Sequence, residues 1–161
     1  MLRPSHPEEA AMPVPPIPPG YGGVTPYLVT QDVKHALAWY AAAFGAEETM
    51  RIPGPNDTVM HAELRIGDSL VMIGEQSAEH GAYAPPHYGG TAVSFLHYVE
   101  DVDAAFARAV AAGATAEQPV ADQPHGDRMG TLTDPFGHRW HIATHIEDVS
   151  VEEIARRMSG G

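Results

Sequence analysis

Asp32-Val33, Ala36, Tyr40, Ala42 and Phe44-Gly45-Ala46 are followed, 69 residues further on, by Asp101-Val102-Asp103-Ala104, Ala105, Ala109, Ala111-Ala112 and Gly113-Ala114. Each copy comes after a short apolar strand and before polar, strand-like sequence. A repeat of this length is one supersecondary unit used twice. Two such units predict sheets set edge to edge around a cleft, and clefts bind small molecules.

The punctuation of both copies agrees with that reading. Asp32 and Asp101 are N-cap residues. Val33, Leu37, Tyr40, Ala41 and Phe44 recur at helical spacing until Gly45 stops the first helix. Val102, Ala105, Phe106, Ala109 and Val110 do the same before Gly113. Strands are expected near 24–30, 47–52, 58–66 and 69–75, then near 92–99, 115–119, 128–133 and 138–145. Gly67-Asp68 reads as a tight hairpin turn, and Asp134-Pro135-Phe136-Gly137 as a type I turn. Along 59–66, Met60, Ala62, Leu64 and Ile66 share one face, while Val59, His61, Glu63 and Arg65 share the other. A last helix, near 151–158, opens with a capping box from Ser150 to Glu153. It gathers Val151, Ile154, Ala155 and Met158 on one side.

The expected fold is therefore α+β: paired βαβββ modules with a C-terminal helix. Residues 1–22 hold Pro13, Pro15, Pro16, Pro18 and Pro19 and read as an extended or disordered arm. The first module spans 23–76, a connector 77–90, the second module 91–147, and the C-terminal helix and tail 148–161.

Composition narrows the function. The chain has 161 residues, 43% of them hydrophobic, which is enough for a packed core. Its net charge of −12 argues against nucleic-acid phosphates and against an anionic membrane surface as partners. No cysteine is present, so disulfide and thiolate chemistry are excluded. No apolar run approaches the roughly 20 residues of a membrane span. The N-terminus lacks the apolar centre of a signal peptide. A cytoplasmic protein is expected.

Several strings together resemble a known family. They are Pro26-Tyr27-Leu28, Trp39-Tyr40, Phe44-Gly45-Ala46, His61-Ala62-Glu63-Leu64, Ile66-Gly67-Asp68, Val99-Glu100-Asp101-Val102-Asp103-Ala104, Gly126-Asp127-Arg128 and Asp134-Pro135-Phe136-Gly137-His138-Arg139-Trp140. The chain resembles the glyoxalase/bleomycin-resistance family of the vicinal oxygen chelate superfamily, and most of all its PhnB-like branch. The resemblance covers about residues 23–147. It implies a U-shaped, half-closed sheet with helices on the convex side, and a homodimer.

Enzymes of that superfamily hold a divalent metal at four cleft positions that carry His, Gln or Glu. By offset from each module's landmarks those positions fall here on Thr25, Met72, Ser94 and His141. Hydroxyls and a thioether are poor ligands for Mg, Fe(II) or Zn, so one donor in four implies no resident metal. The alternative is a displaced site for one divalent ion on His61, Glu63 and His141, a facial triad that would serve a lyase, isomerase or dioxygenase. Against it, residues two apart on a strand face have Cβ atoms roughly 6–7 Å apart.

Tyr27 and Tyr98 alternate in phase with Thr25 and Ser94, so they are expected to face the cleft and stack on a planar ligand. His97 is expected in the core and His138 in solvent. Arg128 is expected to pair with an Asp. His6, His35, His80, His87, His125 and His145 show no metal-binding spacing. The leading reading is a metal-free binder that sequesters a drug or metabolite, with a pocket completed by dimerisation. Its expected ligand residues are Thr25, Tyr27, His61, Glu63, Met72, Ser94, Tyr98 and His141.

Overall fold

The computed structural model describes residues 13–160. The first module runs β1 (Tyr27–Thr30), α1 (Val33–Phe44), β2 (Glu47–Pro53), β3 (Val59–Ile66) and β4 (Ser69–Glu75). A single 3-10 turn, Pro85–Tyr88, lies in the connector. The second module runs β5 (Ser94–Tyr98), α2 (Val102–Ala111), β6 (Thr115–Asp122), β7 (Asp127–Thr133) and β8 (Arg139–His145). A last helix, α3, spans Val151–Ser159. The α+β architecture of two βαβββ modules and a C-terminal helix is thus present. Among the described residues no helix is long and apolar enough to cross a membrane.

Each module forms its own mixed four-stranded sheet, ordered β1-β4-β3-β2 and β5-β8-β7-β6. β1 pairs parallel with β4, and β5 parallel with β8. The helix between each strand pair is the crossover that parallel pairing needs. The caps are local and were readable. Asp32 accepts from the His35 N–H at 2.9 Å and Asp101 from the Ala104 N–H at 3.0 Å. Gly45 closes α1 in the left-handed region, φ +66.

Two boundaries differ most from expectation. β1 begins at Tyr27 rather than 24, leaving Thr25 ahead of the strand. β6 continues through Pro119 to Asp122. It is the edge strand, where a missing N–H costs no ladder bond.

The helix-bearing faces of the two sheets meet in one core. Leu28, Val33, Tyr40, Leu64 and Ile73 of the first module join Val102, Leu132, Trp140 and Ile142 of the second in a single buried cluster. The two helices also cap each other. Trp39 Nε1 donates to the Ala112 carbonyl at 3.0 Å, and Arg108 Nε to the Ala43 carbonyl at 3.2 Å. Each bond satisfies a carbonyl at a helix C-terminus.

Asp134 pins the modules together. Its carboxylate accepts from Phe136 N–H and His138 N–H at 2.9 Å each, from Trp140 Nε1 at 2.9 Å, and from the Tyr40 hydroxyl on α1. Burial, then the Asp134 charge, pushes the Tyr40 phenol well above its usual range. His138 was expected in solvent. It is instead buried, with Nε2 2.9 Å from the Val29 carbonyl, because the turn tucks under β1 of the other module.

α3 stands apart. Ser150 caps it as expected, and Arg157 pairs with Glu147 at 2.8 Å. Val151 and Met158 of its apolar stripe remain 77% and 70% exposed.

Candidate functional site

The predicted ligand residues sit on the sheet faces opposite the helices. On β3 the alternation places Ala62, Leu64 and Ile66 in the core and leaves His61 and Glu63 half-buried on the free face. Glu63 lies opposite Met72 on β4, and Met72 opposite Tyr27 on β1, so these three form one row. The Tyr27 ring leans across Gly74, where an added Cβ would come within 2.7 Å of the phenol oxygen. That lean brings its hydroxyl to 2.9 Å from His61 Nδ1.

The second sheet carries a comparable face. His141 lies between two hydroxyls, with Nδ1 2.8 Å from Thr131 Oγ1 and Nε2 3.1 Å from Ser94 Oγ. Tyr98 donates to Asp127 at 2.6 Å, which raises its phenol above the usual range. Asp127 also meets His145 Nδ1 at 2.7 Å and His125 Nε2 at 3.3 Å. Burial alone would push that carboxyl up. The bonds from Tyr98 and His145, with the two nearby imidazoles, outweigh it and hold the group below its usual range. His145 is raised by Asp148 and then by Asp127.

The Asp127 cluster was not legible. His125 and His145 lie on either side of it, and only the β7–β8 pairing sets Asp127 opposite His145. Arg128 makes the expected Asp pairs, with Asp103 at 2.7 Å and Asp122 at 2.9 Å, and so ties α2 and β6 to β7. His97 is on the helix-facing side as expected, and burial lowers its pKa.

Within one chain the eight residues form two groups, not one. Tyr27, His61, Glu63 and Met72, with Thr25 just before β1, belong to the first sheet. Ser94, Tyr98 and His141 belong to the second. Every side-chain hydrogen bond they make stays within its own half. The strands β1 and β5 exchange no ladder bonds. A cavity of about 290 Å³ separates them, lined on one side by Pro26, Leu28 and Val71 and on the other by Ser94, Leu96 and Trp140.

Within one chain the candidate donors already face other groups. Both His141 nitrogens face hydroxyls, His61 faces Tyr27, and Glu63 faces Tyr21. Among the described residues no three His, Cys, Asp or Glu side chains are placed to share one ion, the cluster of Asp127, His125 and His145 included, since its members bond to one another. His61, Glu63 and His141 therefore do not assemble as a triad in one chain.

Paired βαβββ modules with these faces define a class of protein. The sequence profile of the glyoxalase/bleomycin resistance protein/dioxygenase superfamily matches residues 23–142, and the chain belongs to that superfamily. Within it, the chain is 40% identical over 139 residues to an uncharacterized protein of Mycobacterium tuberculosis strain H37Rv, covering 84% of this chain and 82% of that one. It is 35% identical over 111 residues to the anthracycline biosynthesis protein DnrV of Streptomyces peucetius, covering 68% of this chain but 36% of that one. The crystal structure of TioX from Micromonospora sp. ML1 superimposes with a TM-score of 0.60 at 31% identity, covering 77% of this chain and all of that one.

Proposed function

We propose that the protein binds a small, planar, polar aromatic molecule and holds it without a resident metal. The pocket is completed when the first sheet of one copy faces the second sheet of another. One observation carries the reading: Tyr27, Leu96 and Tyr98 are 56%, 50% and 52% exposed on the same faces that present His61, Glu63, Ser94 and His141. Half-exposed aromatic and aliphatic groups beside hydrogen-bonding side chains are what a ligand wall requires. Within one chain the two faces do not converge on a single pocket, which supports a homodimer that brings them together. The acidic balance suits a neutral or cationic ligand better than an anion. The name of the Streptomyces relative, an anthracycline biosynthesis protein, supports a planar aromatic ligand. A drug-sequestering role and a place in the PhnB-like branch belong to the same proposal, the latter supported by the Asp134–Trp140 string.

The test uses proflavine, a planar aromatic cation, and the chlorides of Mg, Mn and Zn. At about 100 times its Kd a ligand of the native state adds about 2.7 kcal/mol, or about 5–10 °C in Tm for a chain of this size. Proflavine is expected to give that shift with a stoichiometry of one per half-dimer, and Tyr98→Ala to weaken binding at least about tenfold. Stoichiometric Mn or Zn binding abolished by His141→Ala would replace this reading with a metal-dependent enzyme.

A further inference from the structure

We propose that Tyr21 is a built-in stand-in for the ligand. Its hydroxyl takes the Glu63 carboxylate on the free face of the first sheet, while Gly20 of the same turn lies against Leu70, and the natural occupant of that subsite is a planar molecule carrying a neutral phenol-type hydroxyl. The inference rests on the proposed binding face and names the chemistry of its first-sheet half.

The strap that carries Tyr21 is rigid. Pro18-Pro19-Gly20-Tyr21 closes on a Tyr21 N–H to Pro18 carbonyl bond of 3.1 Å, with Gly20 at φ +88. Proline second and a positive-φ glycine third make a type II turn. The turn rests on the first sheet, since a Cβ at Gly20 would lie 3.0 Å from Leu70 Cδ1. Tyr21 then donates its hydroxyl to Glu63 Oε2 on the free face of β3, 42 residues away in sequence. The same bond raises the Tyr21 phenol above its usual range, while Arg65 beside it acts in the opposite sense.

The next two residues, Gly22 and Gly23, have no atom within 4 Å of an added Cβ. Two uncrowded glycines leave the stiff turn room to lift as a unit.

The subsite's chemistry follows from Glu63. An ionised carboxylate is an acceptor only, so its partner must donate. A carboxylate or phosphate on the ligand would be repelled at that point. A phenol satisfies both conditions, and Tyr21 is one. For the ligand to reach Glu63 the strap must lift. A strap closed in about nine of ten molecules lowers apparent affinity about tenfold.

The experiment has two arms. The first needs no ligand: in ultraviolet titration of the full-length protein, the difference between wild type and Tyr21→Phe is expected to isolate one phenol with a raised pKa, over the unchanged background of the raised Tyr40 and Tyr98, and that phenol is expected to return to the ordinary range in Glu63→Gln. A Tyr21 that titrates like free tyrosine in the wild type overturns the strap, whatever proflavine does. The second arm follows 2-naphthol and hydroxyl-free naphthalene by fluorescence. Tyr21→Ala is expected to bind 2-naphthol about tenfold more tightly than wild type, and the Tyr21→Ala/Glu63→Gln variant to lose its preference for 2-naphthol over naphthalene. Equal 2-naphthol affinity in wild type and Tyr21→Ala, or no binding to either, overturns the phenol subsite. Proflavine binding in those samples shows separately whether the binding face itself stands.

Discussion

Replacing Asp134 with Asn removes one acceptor oxygen from the group that locks the two modules together. In the native protein Oδ1 takes two backbone N–H groups at 2.9 Å, and Oδ2 takes Trp140 Nε1 at 2.9 Å and the Tyr40 hydroxyl. The Asn carbonyl keeps the backbone pair. Its NH2 faces the indole N–H, and two donors cannot bond. Tyr40 is able to turn its hydroxyl and accept, but Trp140 is not. A buried donor without a partner costs about 1–3 kcal/mol, and bonds to a charged acceptor exceed those to a neutral one by about 1 kcal/mol. Asp134 is 4% exposed, so water cannot substitute. The expected loss is about 2–4 kcal/mol, a large share of the roughly 5–15 kcal/mol that holds a domain. Urea unfolding followed by Trp fluorescence measures it, as a midpoint about 1–2 M lower at a slope near 2 kcal/mol/M. Tyr40→Phe and Asp134→Asn share one bond, so their effects are expected to be non-additive by at least about 0.5 kcal/mol. An Asn variant within about 0.5 kcal/mol of wild type, or strict additivity, refutes the pin.

Two further outcomes follow from the second module. His145 has its pKa raised by Asp148 and Asp127, so its stabilisation is complete below the ordinary histidine pKa of about 6.5 and is lost as pH rises through the higher folded value. Asp127 is lowered, so its contribution is present above the ordinary carboxylate range and lost as pH falls below it through the lower folded value; thermal melts from about pH 2 to 9 should show both limbs, and His145→Gln should flatten the alkaline one. Gly126→Ala meets the Glu147 carbonyl at 2.0 Å from a backbone at φ +97, where the Ile146 and Glu147 N–H groups both bond to Gly126. It is expected to cost at least about 2 kcal/mol in urea unfolding, and a loss under about 0.5 kcal/mol would show that this corner yields.

The sequence by itself determined what depends on neighbours along the chain. The duplication, the Asp32 and Asp101 caps, the Gly45 stop, the Asp134–Gly137 turn and the faces of β3 from His61 to Ile66 are set within a few residues by dihedral preference and by periods of 2 and 3.6. At the start of β3 the expected faces are reversed, with Val59 buried in the core and Met60 54% exposed, where the pairing with β2 shifts register. Hence the sheet face carrying His61 and Glu63 was readable, and so was the helix-facing side of His97. Tertiary structure decided which faces meet. Burying both helices in one core leaves the two predicted ligand faces separate in a single chain, so His61, Glu63 and His141 do not converge. His138 reaches Val29 across 109 residues, Tyr40 reaches Asp134 across 94, and Tyr21 reaches Glu63 across 42. No local pattern encodes such pairs, because each depends on how one completed module packs against another, or on where the arm falls across a finished sheet.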